Sequence, residues 1–250
     1  MTSEKTDAIV IRQVDFSESS RVVTFFSRDF GKFAALAKGA KRLRGPFDAA
    51  LDLLSCCRVV FIRKSAGTLN LLTEARLNSR FRPASGELLR VYGGYYVAEL
   101  LDGLTEDFDV APSLYDLALS TLNFLSDPKT HLPSILIQFE VQFLREIGLL
   151  PNLSACSVCG DDIHLDHKYA HWVTQGGLLC SRCRHEEYSG NSVQAGTIQT
   201  LREISECDTG VFVDGQISGS QLIECHRLAV SSIVQAMGRK PSTLRYLQIQ

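Results

Sequence analysis

Two short cysteine pairs set the strongest constraint on how this chain can fold. Cys156-Ser-Val-Cys159-Gly160 and Cys180-Ser-Arg-Cys183 are separated by twenty residues, the arrangement that lets two turns offer four thiolates to one tetrahedral ion. Zinc is the leading candidate, since it accepts four cysteines without redox chemistry, and closed four-ligand sites are generally structural. Gly160, and Gly176-Gly177 before the second pair, suit tight turns that aim backbone amides at sulfur. Four ordinary buried thiols, a redox pair and a four-iron cluster are the alternatives. Because Cys156, Cys159, Cys180 and Cys183 complete the shell, His164, His167, His171 and His185 are left outside it. The remaining cysteines, 56, 57, 207 and 225, read as buried, inert thiols.

The pattern around this module changes period twice. Ala8–Val14, Arg21–Ser27, Lys32–Lys38, Cys56–Arg63 and Leu69–Arg76 are short, rich in Val, Ile, Phe and Leu, and broken by turn residues, as strands are. Arg28-Asp29-Phe30-Gly31 and Ala66-Gly67 read as hairpin turns. Five strands fit a small Greek-key barrel of the OB type, although an SH3-like barrel has a similar sequence pattern. After Arg82-Pro83, helical periodicity takes over in Gly86–Leu104, Leu114–Leu125 and Pro133–Gly148, with Leu136, Phe139, Phe143 and Ile147 forming one stripe. It returns at Thr197–Ser205 and at Ser220–Met237, the latter behind a capping-box signature at Ser218–Gln221 and stopped by Gly238. The expected organisation is therefore α+β multidomain. It comprises an OB-type β-barrel (1–82), an α-helical domain (83–150), an inserted four-cysteine zinc-binding motif (151–190) and C-terminal helices packing on the helical domain (191–250).

Charge divides along the same lines. Residues 1–82 hold 15 Lys and Arg against 8 Asp and Glu, and residues 83–150 hold 3 against 10, within a chain whose net charge is only −2. A basic front third points to a polyanion partner. Its densest stretch, Lys38-Gly-Ala-Lys41-Arg42-Leu-Arg44, has four cations and no acid, and a loop of this kind tracks phosphates with little base preference. Lys38, Lys41, Arg42 and Arg44 are the candidate phosphate-binding residues, with Arg12, Arg21, Arg63, Lys64, Arg76, Arg80 and Arg82 as possible extensions. A solvated turn is the bland alternative. The eight phenylalanines of this region, at 16, 25, 26, 30, 33, 47, 61 and 81, read mostly as core, and no stacking residue is singled out.

Catalytic patterns are missing. Gly210–Gly215 has P-loop glycine spacing but is followed by Gln216-Ile217, and no G-x-S-x-G or H-E-x-x-H occurs. A zinc deaminase needs H-x-E before P-C-x-x-C and an open coordination position. Here His185-Glu186-Glu187 follows both cysteine pairs. The amino-terminal stretch, with Glu4, Lys5 and Asp7 ahead of a short apolar patch, lacks the core of a secretory signal, and no apolar run is long enough to span a bilayer. The expectation is a cytoplasmic protein that is not an enzyme.

Several segments together resemble the RecO family of bacterial recombination mediators. They are Asp15-Phe16-Ser17-Glu18-Ser19-Ser20 with the following Val22–Phe26 strand and Gly31, Ala37-Lys38-Gly39-Ala40-Lys41-Arg42, and Tyr95-Tyr96-Val97-Ala98-Glu99-Leu100. Most specific is Phe139-Glu140 through Phe143-Leu144-Arg145, then Gly148, Pro151, the two cysteine pairs and Gly176-Gly177. The resemblance implies an amino-terminal OB fold, a helical domain and a zinc motif. It also implies a nucleoid-associated, non-enzymatic role in RecF-pathway repair. Such a protein binds single- and double-stranded DNA, anneals complementary strands and engages RecR. It also helps RecA replace single-stranded-DNA-binding protein. An OB-plus-zinc RNA-binding factor is the runner-up reading, and a zinc-dependent hydrolase the second rival.

Overall fold

The computed structural model describes residues 3–42, 47, 50–65, 67–84, 86–165, 167–172, 177–184, 192–208 and 217–247. By their contacts they form two compact units, 1–130 and 131–250.

In the first unit, alternation of apolar and polar residues builds β1 (Ser3–Asp15), β2 (Arg21–Ser27), β3 (Gly31–Ala37), β4 (Ser55–Ile62) and β5 (Asn70–Arg80). They close into a barrel in the order β1-β2-β3-β5-β4. β1 begins at Ser3 rather than at the apolar patch because it serves two neighbours. Its first part pairs antiparallel with β4 and its second with β2, and a bulge between Val10 and Arg12 bends it from one to the other. The seam that closes the ring is parallel, Ala35–Ala37 of β3 against Asn70–Leu72 of β5. This is the five-stranded Greek-key closure of the OB type.

Inward-facing residues at period two fill the barrel. Phe33 stacks between Phe25 at 5.3 Å and Phe61 at 4.2 Å, with Ala8, Val10, Val23 and Val59 around them. The β2–β3 hairpin is pinned by Ser27, whose Oγ donates to the Gly31 carbonyl at 2.9 Å. Gly31 lies at φ +63°, and a Cβ there would sit 1.8 Å from the Asp109 carbonyl oxygen, so the position requires glycine. Helix α1 (Leu88–Leu104) packs on β1 and on α2 (Pro112–Ser126), which also reaches β2. Buried Arg90 ties the start of α1 to the end of this unit, donating to the carbonyls of Pro128 at 3.1 Å and Thr130 at 2.6 Å.

The second unit centres on α3 (Leu132–Glu146), against which α4 (Ala195–Glu206) and α5 (Gly219–Met237) pack. Leu136, Phe139 and Phe143 are buried as the stripe predicts, but burial extends right round the helix from Ile135 to Leu144 and takes in Gln138, Glu140 and Gln142. Glu140 and Gln142 find partners on the later helices: Glu140 Oε2 lies 2.9 Å from His226 Nδ1, and Gln142 Nε2 donates to the Ile204 carbonyl at 3.3 Å. The capping box at Ser218 and Gln221 is formed, and Gly238 ends α5 in the left-handed conformation. A small sheet, β6 (Tyr169–Trp172) between β7 (Gly177–Leu179) and β8 (Ser192–Val193), carries the cysteine module. Among the described residues no helix is long and apolar enough to cross a membrane.

Candidate nucleic-acid interface and metal centre

β3 runs directly into the basic turn. Residues 38–42 lie beside the loop joining β1 to β2, because the Lys41 N–H donates to the Ser19 carbonyl at 3.1 Å. Gly39 takes φ +77°, and the Arg42 N–H closes the turn on the Gly39 carbonyl at 3.1 Å. Lys38 and Arg42 are exposed, with no carboxylate partner among the described residues. Lys41 differs. Its ammonium donates to Asp15 Oδ2 at 3.0 Å and to the Ser17 carbonyl at 3.3 Å, while Arg21 Nε donates to Asp15 Oδ1 at 3.0 Å. The hydrogen bond from Lys41, then that from Arg21, holds the Asp15 carboxyl below its ordinary range. Lys41 thus staples the two loops together as well as adding charge. Arg44 lies outside the described residues.

Part of the wider basic surface is compensated. Arg12 pairs with Asp102 at 3.5 Å, Arg28 with Asp116 at 2.9 Å, and Arg80 with Asp52 at 3.5 Å. Arg58 clasps Asp7, with Nε donating to Oδ1 at 2.9 Å. Lys32 donates to the Asp102 carbonyl at 2.7 Å, and Arg63 lies 4.2 Å over the ring of Phe108. Asp102 and Asp116 belong to the acidic segment that follows the barrel, so part of the sequence asymmetry cancels within this unit. Among the described residues Lys38 and Arg42 of the turn at the end of β3 stay exposed without a carboxylate partner, and so do Arg76 and Arg82. Phe16, in the facing loop, is also strongly exposed. Phe25, Phe26, Phe33, Phe47 and Phe61 are buried in keeping with the core reading. Phe16 departs from it, and its setting between Asp15 and Ser17-Glu18-Ser19-Ser20 is the sequence signal that singles it out.

In the second unit the four predicted cysteines meet. The sulfurs of Cys156, Cys159, Cys180 and Cys183 all lie within 4.8 Å of one another, and Cys159 Sγ stands 3.7 Å from Cys180 Sγ. Metal–sulfur bonds of about 2.3 Å in a tetrahedron give sulfur–sulfur edges of roughly 3.8 Å, so the donor set and its spacing fit a thiophilic ion. The first turn is prepared by Asn152, whose Oδ1 accepts from the N–H of Ser154 at 2.8 Å and of Ala155 at 3.1 Å. It is closed by the Gly160 N–H on the Cys156 carbonyl at 2.9 Å, with Gly160 at φ +74°. The second turn brings the Cys180 N–H to within 3.4 Å of Cys156 Sγ.

Burial pushes the Cys156 thiol up, yet backbone N–H groups converging on its sulfur bring it down to about 6. The hydrogen bond with Cys159 and then burial push the Cys183 thiol up to about 12. Four thiols crowded together therefore have to share protons, a conflict that a cation resolves. Arg202 of α4 braces the module, its Nε donating to the Leu153 carbonyl at 3.1 Å. Among the described residues no histidine joins the cluster. His171 instead lies buried in β6, its Nδ1 3.5 Å from Ser231 Oγ.

Comparison with known proteins matches the family model described as Recombination protein O N terminal to residues 1–81 and that described as Recombination protein O C terminal to residues 85–244. The DNA repair protein RecO of Rhodopirellula baltica is 41% identical over 199 residues, covering 79% of this chain and 73% of the relative. Its namesake from Halalkalibacterium halodurans is 32% identical over 199 residues, 79% of this chain and 76% of the relative. That of Syntrophus aciditrophicus is 27% identical over 247 residues, 98% of this chain and 95% of the relative.

Proposed function

The chain belongs to the RecO family of DNA repair proteins, and from that premise we propose that it is a non-enzymatic mediator of homologous recombination in the RecF pathway. In this reading it binds single- and double-stranded DNA and anneals complementary strands. With RecR it helps load RecA onto DNA coated by single-stranded-DNA-binding protein. The observation that carries the reading is the exposed turn at the end of β3, where Lys38 and Arg42 face solvent without a carboxylate partner among the described residues. Arg44 joins them on its place in the sequence alone.

The mechanism needs binding energy and no bond chemistry. Two phosphodiester chains repel each other, and cations that partly neutralise them release counterions and lower that repulsion. Pairing then proceeds without nucleotide hydrolysis. Zinc held by Cys156, Cys159, Cys180 and Cys183 would cross-link two turns and supply folding energy. The division of labour proposed is a DNA-binding barrel (1–82), a helical domain (83–150), a zinc motif (151–190) and C-terminal helices (191–250), acting in the cytoplasm at the nucleoid.

The test is an ATP-free annealing assay on complementary oligonucleotides coated with single-stranded-DNA-binding protein. Faster annealing than by the coated strands alone supports the proposal, and no acceleration at low salt overturns it. Competition with matched RNA completes the assay: stronger binding to RNA assigns the protein to the RNA-binding class instead.

A further inference from the structure

Phe16 is the most exposed large apolar side chain among the described residues, with 64% of its surface open to solvent. It stands at the start of the β1–β2 loop, where its N–H donates to the Ser20 carbonyl at 3.0 Å. The ladder places Val14 opposite Val22 and Val22 opposite Leu36, and in the next row Asp15 opposite Arg21 and Arg21 opposite Ala37. β3 ends at Ala37, and the turn that follows it reaches the β1–β2 loop through the Lys41 N–H, which donates to the Ser19 carbonyl at 3.1 Å. Side chains alternate between faces, so Val14, Val22 and Leu36 share the outer face, opposite to the inward-facing Ala37, and Phe16 comes next beyond Val14 and Asp15. Val14 is 48% exposed. The result is a short apolar strip that ends in a free aromatic ring and is flanked by the cations of the 38–42 turn.

That combination selects its partner. A ring held in water beside lysine and arginine matches an unpaired base whose neighbouring phosphates need countercharge. Duplex bases are already stacked on one another and offer no free face. We propose that Phe16 is a base-stacking platform for single-stranded DNA, with adjacent phosphates on Lys38 and Arg42. The proposal rests on the DNA-binding reading above and deepens it.

The test uses the full chain and a labelled oligothymidine, with a duplex of equal length alongside, followed by fluorescence anisotropy across a salt series. Phe16→Ala should weaken single-strand binding about five- to a hundredfold, the loss of one base–aromatic stack. It should leave duplex affinity and the dependence on salt unchanged, because every phosphate keeps its cation. Phe16→Trp should retain affinity and show quenched indole emission on binding, measured against the wild type, whose one tryptophan is Trp172. Because the side chain is exposed, both variants should melt as the wild type does. If the wild type binds both DNAs and Phe16→Ala binds as well, this inference fails alone. Equal weakening on duplex and single strand, or an unquenched Phe16→Trp that still binds, overturns it too. Loss of binding to a protein partner with DNA binding intact would assign the ring to a protein surface and count equally against it. A wild type that ignores oligonucleotides removes the underlying reading as well.

Discussion

Asp15 accepts hydrogen bonds from both Lys41 and Arg21, and this separates the cations that adjacency in the sequence groups together. Lys38 and Arg42 should act chiefly on phosphates. Reversing both, Lys38→Glu with Arg42→Glu, should lower single-stranded DNA affinity and flatten the salt slope by about 1.4, at roughly 0.7 for each phosphate no longer neutralised. Binding titrations at several salt concentrations read this out, and the melting temperature should hold. Lys41→Glu should behave differently, since it sets a second carboxylate against Asp15 and opens the turn, so weaker binding comes with weaker folding. The four-cation run was visible in the sequence, but the staple within it was not: Lys41 meets Asp15 only after β1, β2 and β3 pair in register. Likewise Arg12 finds Asp102 ninety residues away, a distance over which local pattern carries no information.

At the scale of elements, α3 depends on what α5 brings to it. Glu140 is fully buried and its carboxylate lies 2.9 Å from His226 Nδ1. Glu140→Ala leaves that ring without its hydrogen-bond partner and opens a cavity, a change that costs about 2–5 kcal/mol when a buried side chain is truncated. The thermal midpoint should fall by about 10 °C. Glu140→Gln keeps an acceptor and should lose much less, which a pair of circular dichroism melts can establish. Elements with a clear period were legible in the sequence: the inward alternation of β3, the Leu136, Phe139 and Phe143 stripe of α3, the Ser218 box of α5. β6, β7 and β8 were not, because strands of two to four residues are too short to display alternation. The burial of Gln138, Glu140 and Gln142 was hidden for another reason. Partners such as His226 and the Ile204 carbonyl come from helices more than sixty residues later.

For the whole molecule, the candidate DNA surface belongs to one compact unit and the candidate metal centre to the other. Chelation should therefore have a divided effect. A chelator that strips a metal ion held by Cys156, Cys159, Cys180 and Cys183, the cluster whose spacing fits one, should destabilise the second unit and raise proteolysis within 151–184, while single-strand affinity, measured before cleavage, changes little. Limited proteolysis with and without chelator, followed by oligonucleotide binding, measures both. Abolished DNA action with an intact second unit would instead favour a zinc centre acting in chemistry.

The parallel seam between Ala35–Ala37 and Asn70–Leu72 has a consequence for biogenesis. During translation the amino-terminal meander of β1, β2 and β3 leaves the ribosome with both margins bare; the β1 margin can be covered once β4 follows, the β3 margin only once β5 does. A chain that stops before residue 70 lacks the strand that covers β3, so the interval before β5 appears is when an uncovered sheet margin invites mispairing.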